Sequence, residues 1–226
     1  MGKLNLILIK YLGDCVIFNL SFRQTHCSNS LFSKLIKYAT LVAVAIFIQA
    51  CATKPQQNLD VTSVEQLTNW NARGKLLLKN NKDKLSGYFF WQQKDNGDFK
   101  LAITSFIGTN LMSLTYADQH TELTLDGKKY QGKNPEQLIF QLTGSYIPVR
   151  NMAKWMLAQA PSSAEKSISE QQLKGFSYKD DNANQWQIEY QTYKKVALLT
   201  LPEKVIIEGL DNRIKLTINE WELLTL

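Results

Sequence analysis

The stretch TELTLDGKKYQ, residues 121–131, decides the fold class. Its first half alternates polar and apolar residues, the two-residue period of a strand with one buried face. Asp126-Gly127 then supplies a pair suited to a two-residue turn with positive φ, and the chain resumes as Lys-Lys-Tyr-Gln. Such a hairpin joins neighbouring antiparallel strands, and the same period runs outward from it in both directions. Upstream, ARGKLLLK (72–79) sets Ala72, Gly74, Leu76 and Leu78 against Arg73, Lys75 and Lys79. GYFFWQQ (87–93) sets Gly87, Phe89 and Trp91 against Tyr88 and Phe90. DFKLAIT (98–104) alternates Phe99, Leu101 and Ile103, and NLMSLTY (110–116) follows as a further strand. Downstream, QWQIEYQ (185–191) places Trp186, Ile188 and Tyr190 on one face. LKGFSYKD, KVALL, EKVIIEG and RIKLTINEW continue the pattern, with a turn at 209–212 before the last of them.

Three segments break this period. SVEQLTNW (63–70) reads as a short helix with Val64, Leu67 and Trp70 on one side, and Ser63 and Gln66 are spaced as a capping box. A second helix opens with Asn134 as cap and Pro135 at its first position, and Gln137 completes the box. It buries Leu138, Ile139 and Leu142 and stops at Gly144. The third, VRNMAKWMLAQ (149–159), lies between Pro148 and Pro161 and lines one side with Val149, Met152, Trp155, Met156 and Gln159. The sequence thus predicts a mainly β domain of about nine to eleven antiparallel strands with short helices. A sheet of that length must close or be covered, and the helices suit its open side. Periodicity leaves open whether its apolar face encloses a hollow or a filled core.

The formal charge of +6 is concentrated at the front of the chain. Lys3, Lys10, Arg23, Lys34 and Lys37 face only Asp14 in the first fifty residues, which leaves a net +2 for the rest. The basic balance is therefore no sign of nucleic-acid binding, which needs a concentrated basic face. Cys15, Cys27 and Cys51 are the three cysteines, and the 175 residues beyond Cys51 hold none. A disulfide framework or a cysteine-based zinc site in the folded part is excluded.

YATLVAVAIFIQAC (38–51) has a short apolar core, about 16 Å as helix, where a bilayer requires about 20 residues. Lys34 and Lys37 precede it, and small Ala50 stands before Cys51. This is the plan of a cleaved secretory signal. Ile48-Gln49-Ala50-Cys51 resembles a bacterial lipoprotein box, which implies a lipid-bearing Cys51 as the new N-terminus. The expected organisation is a leader and lipoprotein signal over 1–50, a tether over 51–60 and one domain over 61–226. Residues 1–30 stand outside the fold as an extended leader or a misassigned start.

Candidate chemistry is sparse. His120 is the one histidine after Cys51, and no G-x-S-x-G elbow, P-loop or dinucleotide motif occurs. No catalytic residue, metal site or cofactor is expected. LAITSFIGTNLMSL (101–114) is more informative, because its SFIGTN turn carries Phe106 and Ile107 beside Gly108. Apolar bulk at a hairpin tip either folds back on the core or touches something outside the protein, such as a membrane or an apolar ligand.

In order and spacing, Cys51, NWNARGKLLL, GYFFWQQ, FKLAITSFIGTNLMSL, PEQLIFQLTGSYIPVRNMAKWMLAQAPS and WQIEY resemble the LolB family of outer-membrane lipoprotein receptors. The resemblance spans roughly Ile48 to Trp221. It implies an unclosed antiparallel β-barrel with helices over an apolar cavity, no cofactor and no covalent change in the cargo. It implies a monomer anchored by Cys51 in outer-membrane lipid and facing the periplasm, which takes acylated lipoproteins from the carrier LolA and delivers them to that membrane. The family's exposed loop leucine falls on Ile107, and its preceding proline on Phe106, so Phe106, Ile107 and Gly108 form the expected insertion loop. Ala52 after the lipid-bearing cysteine fits outer-membrane sorting. Expected cavity residues are Leu76, Phe89, Trp91, Leu101, Ile103, Met112, Leu114, Trp155, Met156, Trp186 and Ile188, taken from apolar faces that serve equally well as simple core. Two other readings stand beside this one: a structural or assembly lipoprotein that binds a protein partner, and a membrane-attached hydrolase built around His120.

Overall fold

A computed structural model describes residues 63–224; the signal segment, Cys51 and the tether lie outside the described residues. Eleven strands form one antiparallel sheet. In chain order they are β1 (Trp70–Lys79), β2 (Lys84–Gln93), β3 (Phe99–Thr104), β4 (Asn110–Ala117), β5 (His120–Leu125) and β6 (Lys128–Gly132). After two helices come β7 (Glu165–Ser169), β8 (Gln172–Lys179), β9 (Gln185–Val196), β10 (Leu199–Gly209) and β11 (Asn212–Leu223). The spatial order is β6-β5-β4-β3-β2-β1-β11-β10-β9-β8-β7, so each strand except where β1 meets β11 pairs with its chain neighbour. The β1–β11 pairing, Trp70 opposite Leu223 through Lys79 opposite Arg213, joins the two halves. β6 and β7 are the unpaired edges, and the sheet stays open between them. Exposed Lys128 and Lys129 on β6 and Glu165 and Lys166 on β7 blunt those edges against pairing with another chain.

The two helices occupy the chain between the edge strands: α1 (Pro135–Thr143) and α2 (Val149–Met156). α1 begins as its sequence requires, with the Asn134 side chain accepting from the Gln137 N–H at 2.9 Å, and it ends at Gly144 with φ 71°. α2 lacks a cap from Pro148. The Glu136 carboxylate of α1 supplies one, accepting from the Arg150 backbone N–H at 3.0 Å.

Strand faces follow the two-residue period. On β1, Ala72, Gly74 and Leu76 are buried while Arg73 and Lys75 are exposed; on β9, Trp186, Ile188 and Tyr190 are buried between exposed neighbours. Asp126 (φ 49°) and Gly127 (φ 76°) make the two-residue turn between β5 and β6. Gly74 sits at a register shift between β1 and β11, where an added Cβ would lie 2.0 Å from the Thr217 carbonyl oxygen.

Three local expectations differ from the structure, and one strand lies outside those expected. The segment at 63–70 is a single 3-10 turn over Val64–Gln66 with no side-chain cap bond from Ser63, and Trp70 begins β1. Three residues cannot offset the cost of starting a helix, and β1 captures Trp70 through its register with Gln93 and Leu223. KVALL is not a strand but a hairpin corner, with Val196 ending β9, Leu199 opening β10 and Ala197 at φ 52°. The last helix ends at Met156 rather than Gln159, and Ala158 takes φ 59°. β7 lacks any buried residue, so its sequence carries no alternating signal; the edge of β8 dictates it.

Candidate functional site

The apolar face of the sheet is covered by α1 and α2, and the covered space is not uniform. Two aromatic clusters fill parts of it. Trp70, Trp91 and Phe99 stack in series, with Trp70 also edge-on to Trp221 at 5.2 Å between ring centres. Trp155 packs against Phe176, Tyr178 and Trp186, with centres 5.9–6.4 Å apart. The same face also holds an aliphatic hollow of about 30 Å³, room for little more than one water molecule. Leu76 and Leu78 of β1, Leu101 and Ile103 of β3, Met112 of β4 and Ile214 of β11 form its sheet wall. Ile139 of α1, Ile147 of the helix connection and Val149 and Met152 of α2 form its lid. No aromatic ring borders it.

Leu76, Leu101, Ile103 and Met112, among the residues singled out by sequence, border this hollow. Phe89, Trp91, Leu114, Trp155, Met156, Trp186 and Ile188 are buried in the packed core beyond it. Leu78, Ile139, Val149, Met152 and Ile214 carried the apolar periodicity of their elements, a signal for burial but not for a hollow. Ile147 carried none, since it lies in an irregular connection.

The lid is tied down by polar contacts. The Arg150 guanidinium on α2 donates to Glu136 on α1 through Nε at 2.9 and 3.1 Å and Nη2 at 2.8 Å, and the Glu136 side chain is only 4% exposed. The hydrogen bond to Glu136 holds Arg150 above its already high ordinary pKa. The helix connection is held to two strand turns: Asn212 Nδ2 donates to the Tyr146 carbonyl at 3.2 Å, and Asn80 Nδ2 donates to Ser145 Oγ at 2.8 Å. Tyr190 Oη donates to the Trp155 carbonyl at 2.7 Å and satisfies the end of α2. Burial, chiefly, lifts the Tyr190 phenol far above its ordinary value, and it pushes Tyr193 up to about 12.

The β3–β4 connection, Ser105–Thr109, projects from the sheet. The Ser105 N–H donates to the Thr109 carbonyl at 2.8 Å, and the Thr109 N–H donates back to Ser105 Oγ at 3.0 Å. These two bonds close the neck, and the Gly108 N–H donates to the Ser105 carbonyl at 3.0 Å inside it. Gly108 at φ 88° makes the reversal. At the tip Ile107 is 91% exposed and Phe106 56% exposed, so the tip does not fold back on the core. Phe106 leans edge-on against Tyr88, 5.2 Å between centres, on the outer face of β2. Tyr88, Phe106 and Ile107 together make an exposed apolar knob on a hydrogen-bonded base.

His120 is exposed at the start of β5. Among the described residues no group of His, Cys, Asp and Glu side chains is arranged to hold a metal, and no helix is long and apolar enough to cross a membrane.

Residues 68–221 match the family model described as outer membrane lipoprotein LolB. A protein of Aeromonas hydrophila subsp. hydrophila named outer-membrane lipoprotein LolB is 32% identical over 197 residues, covering 84% of this chain and 97% of its own. One of the same name from Shewanella sediminis is 27% identical over 199 residues, covering 87% of this chain and 90% of its own. Among solved structures, a LolA superfamily protein from Nitrosomonas europaea superposes with a TM-score of 0.45 at 8% identity, covering 71% of this chain and 88% of its own.

Proposed function

This chain belongs to the outer-membrane lipoprotein LolB family, and from that membership we propose that it is the receptor that takes acylated lipoproteins from the periplasmic carrier LolA and inserts them into the outer membrane. Lipid on Cys51 anchors it there facing the periplasm, and it works as a monomer without cofactor or chemical change to its cargo. The observation that supports this most directly is the pairing of an aliphatic hollow under a tied lid with an exposed apolar knob on the same domain.

Exposing acyl chains to water costs about 0.8 kcal/mol per CH₂, so a carrier must hide them between membranes. The hollow is too small for a chain as it stands. Four of its bordering residues, Ile139, Ile147, Val149 and Met152, belong to the lid, so outward movement of α1 and α2 enlarges it without breaking the sheet. Aliphatic walls suit this cycle, because they exchange one apolar contact for another and hold the chain by no fixed polar bond. Leu76, Leu101, Ile103 and Met112 are the wall residues assigned to the entering chain. The knob at Phe106 and Ile107 then enters the bilayer. Tethering at Cys51 keeps its effective concentration there high, so its own affinity can stay modest.

The small volume of the hollow favours one other reading, an anchored assembly lipoprotein whose sheet binds a protein partner. Incubating the purified protein with LolA loaded with a radiolabelled lipoprotein separates the two. Movement of label onto this protein is expected. Label that stays on LolA, with no acyl chain bound after prolonged incubation, supports the assembly reading instead.

A further inference from the structure

A groove of about 610 Å³ lies on the outer side of the lid, between the first turns of α1 and α2 and the β8–β9 loop. Its polar groups include Asn134 and Gln137 from α1, Tyr146 from the helix connection, Arg150 and Asn151 from α2, and Asn182 from the loop. The loop is pre-formed: Asp180 accepts from the backbone N–H groups of Asn182 and Asn184, from Asn184 Nδ2 and from Trp186 Nε1, all at 2.9–3.2 Å. Burial opposes the Asp180 charge, but these bonds outweigh it and hold its pKa below the ordinary carboxylate value. The Tyr146 ring rests against Trp186, 6.3 Å between centres.

One short segment separates this groove from the aliphatic hollow. Along residues 146–150 the side chains alternate: Tyr146, Pro148 and Arg150 border the groove, whereas Ile147 and Val149 border the hollow. The backbone of this one segment therefore forms part of the wall of both compartments. We propose that the groove holds the polar linker of an acylated polypeptide, the glyceryl esters and first peptide bonds beside its acylated cysteine, while an acyl chain of the same molecule occupies the enlarged hollow. This rests on the receptor reading and adds to it a site for the part of the cargo that is not lipid.

The chemistry of the groove selects that ligand. Carboxamides and a phenol both donate and accept hydrogen bonds, which matches esters and amides. The groove carries the carboxylates of Glu136, Asp180 and Asp181 against the single cation of Arg150, and Glu136 already occupies that cation. This balance repels phosphate headgroups and fatty-acid carboxylates and tolerates a neutral or basic linker.

Three ligands with the same acyl chain test the proposal on the purified protein: a fluorescent fatty acid, a phosphatidylglycerol, and a synthetic peptide of five residues bearing an N-acyl, S-diacylglyceryl cysteine. The double variant Tyr146→Phe, Asn182→Leu keeps the ring on Trp186 and removes the polar tips. Its lipopeptide affinity is expected to fall about tenfold, the loss of one or two hydrogen bonds, with fatty-acid affinity unchanged and the melting temperature preserved. A photoreactive residue directly after the acylated cysteine is expected to crosslink to the β8–β9 loop in the wild-type protein. Undiminished lipopeptide binding by the variant, or crosslinking elsewhere, refutes the groove and leaves the receptor reading standing. Equal losses for phosphatidylglycerol and lipopeptide refute its selectivity for the peptide linker. A wild-type protein that binds no lipopeptide overturns both readings together.

Discussion

Replacing Ile107 by glutamate is expected to separate cargo capture from cargo delivery. Ile107 is 91% exposed and lies beyond the two hydrogen bonds that close the neck of its loop, so the folded state has almost no contact there to lose. Stability is expected to change by less than about 0.5 kcal/mol. Nearly the whole side chain is available to a bilayer, and burying an isoleucine gives about 1.5–3 kcal/mol. Taking about 2 kcal/mol, its loss alone lowers membrane engagement by roughly thirtyfold. The carboxylate adds its own desolvation cost, so Ile107→Glu should fall further than Ile107→Ala. The assay has two halves: transfer of a labelled lipoprotein from LolA to the protein, then from the protein to liposomes. The first half should proceed at the wild-type rate for both variants, and the second should slow in the order wild type, alanine, glutamate. Normal delivery by Ile107→Glu would show that the knob does not enter the membrane. Loss of the first half would show that the loop belongs to the capture site.

Arg150→Gln leaves the buried Glu136 carboxylate without its cation. The expected destabilisation is about 2 kcal/mol, below the range for a fully buried pair because the Arg150 side chain is 49% exposed, and denaturant melts would measure it. Alkaline pH should weaken the fold. Tyr190 and Tyr193 titrate higher in the folded chain than the ordinary value near 10, so the stability they contribute is complete below about pH 10 and declines as pH rises through the folded values. Tyr190 contributes a slope of about 1.4 kcal/mol per pH unit above pH 10, which urea melts at pH 9 and pH 11 would reveal and which Tyr190→Phe should remove. Cys51→Ala should yield a protein with no lipid at its N-terminus, and mass spectrometry of the mature chain would find acyl mass remaining if another residue were the anchor.

The sequence by itself determined the class of fold, because the two-residue period follows directly from strand geometry. QWQIEYQ buries Trp186, Ile188 and Tyr190 as its alternation requires, and Asp126-Gly127 forms the turn its positive φ values permit. The caps of α1 were legible for the same reason: Asn134, Pro135 and Gly144 act on their own backbone neighbours. Burial of Leu76, Leu101 and Ile103 was equally legible from the pattern.

The tertiary structure alone decided what depends on residues distant in the chain. Val64–Gln66 remained a single turn and β7 became a strand because neighbouring elements overrode weak local preferences. The joining of β1 to β11 set the order of the two sheet halves, which no local pattern encodes. Apolar periodicity reports that a side chain leaves water, but not whether the space beside it is full. Trp91 and Trp186 lie in packed aromatic clusters, whereas Leu76 and Ile103 border a hollow, although all four obey the same alternation. The capping of α2 by Glu136, fourteen residues from Arg150, and the split of residues 146–150 between a polar groove and an aliphatic hollow exist only once the helices lie across the sheet. Local periods arise from backbone geometry and are written in adjacent residues; vacancies and latches arise from packing, which only the assembled chain defines.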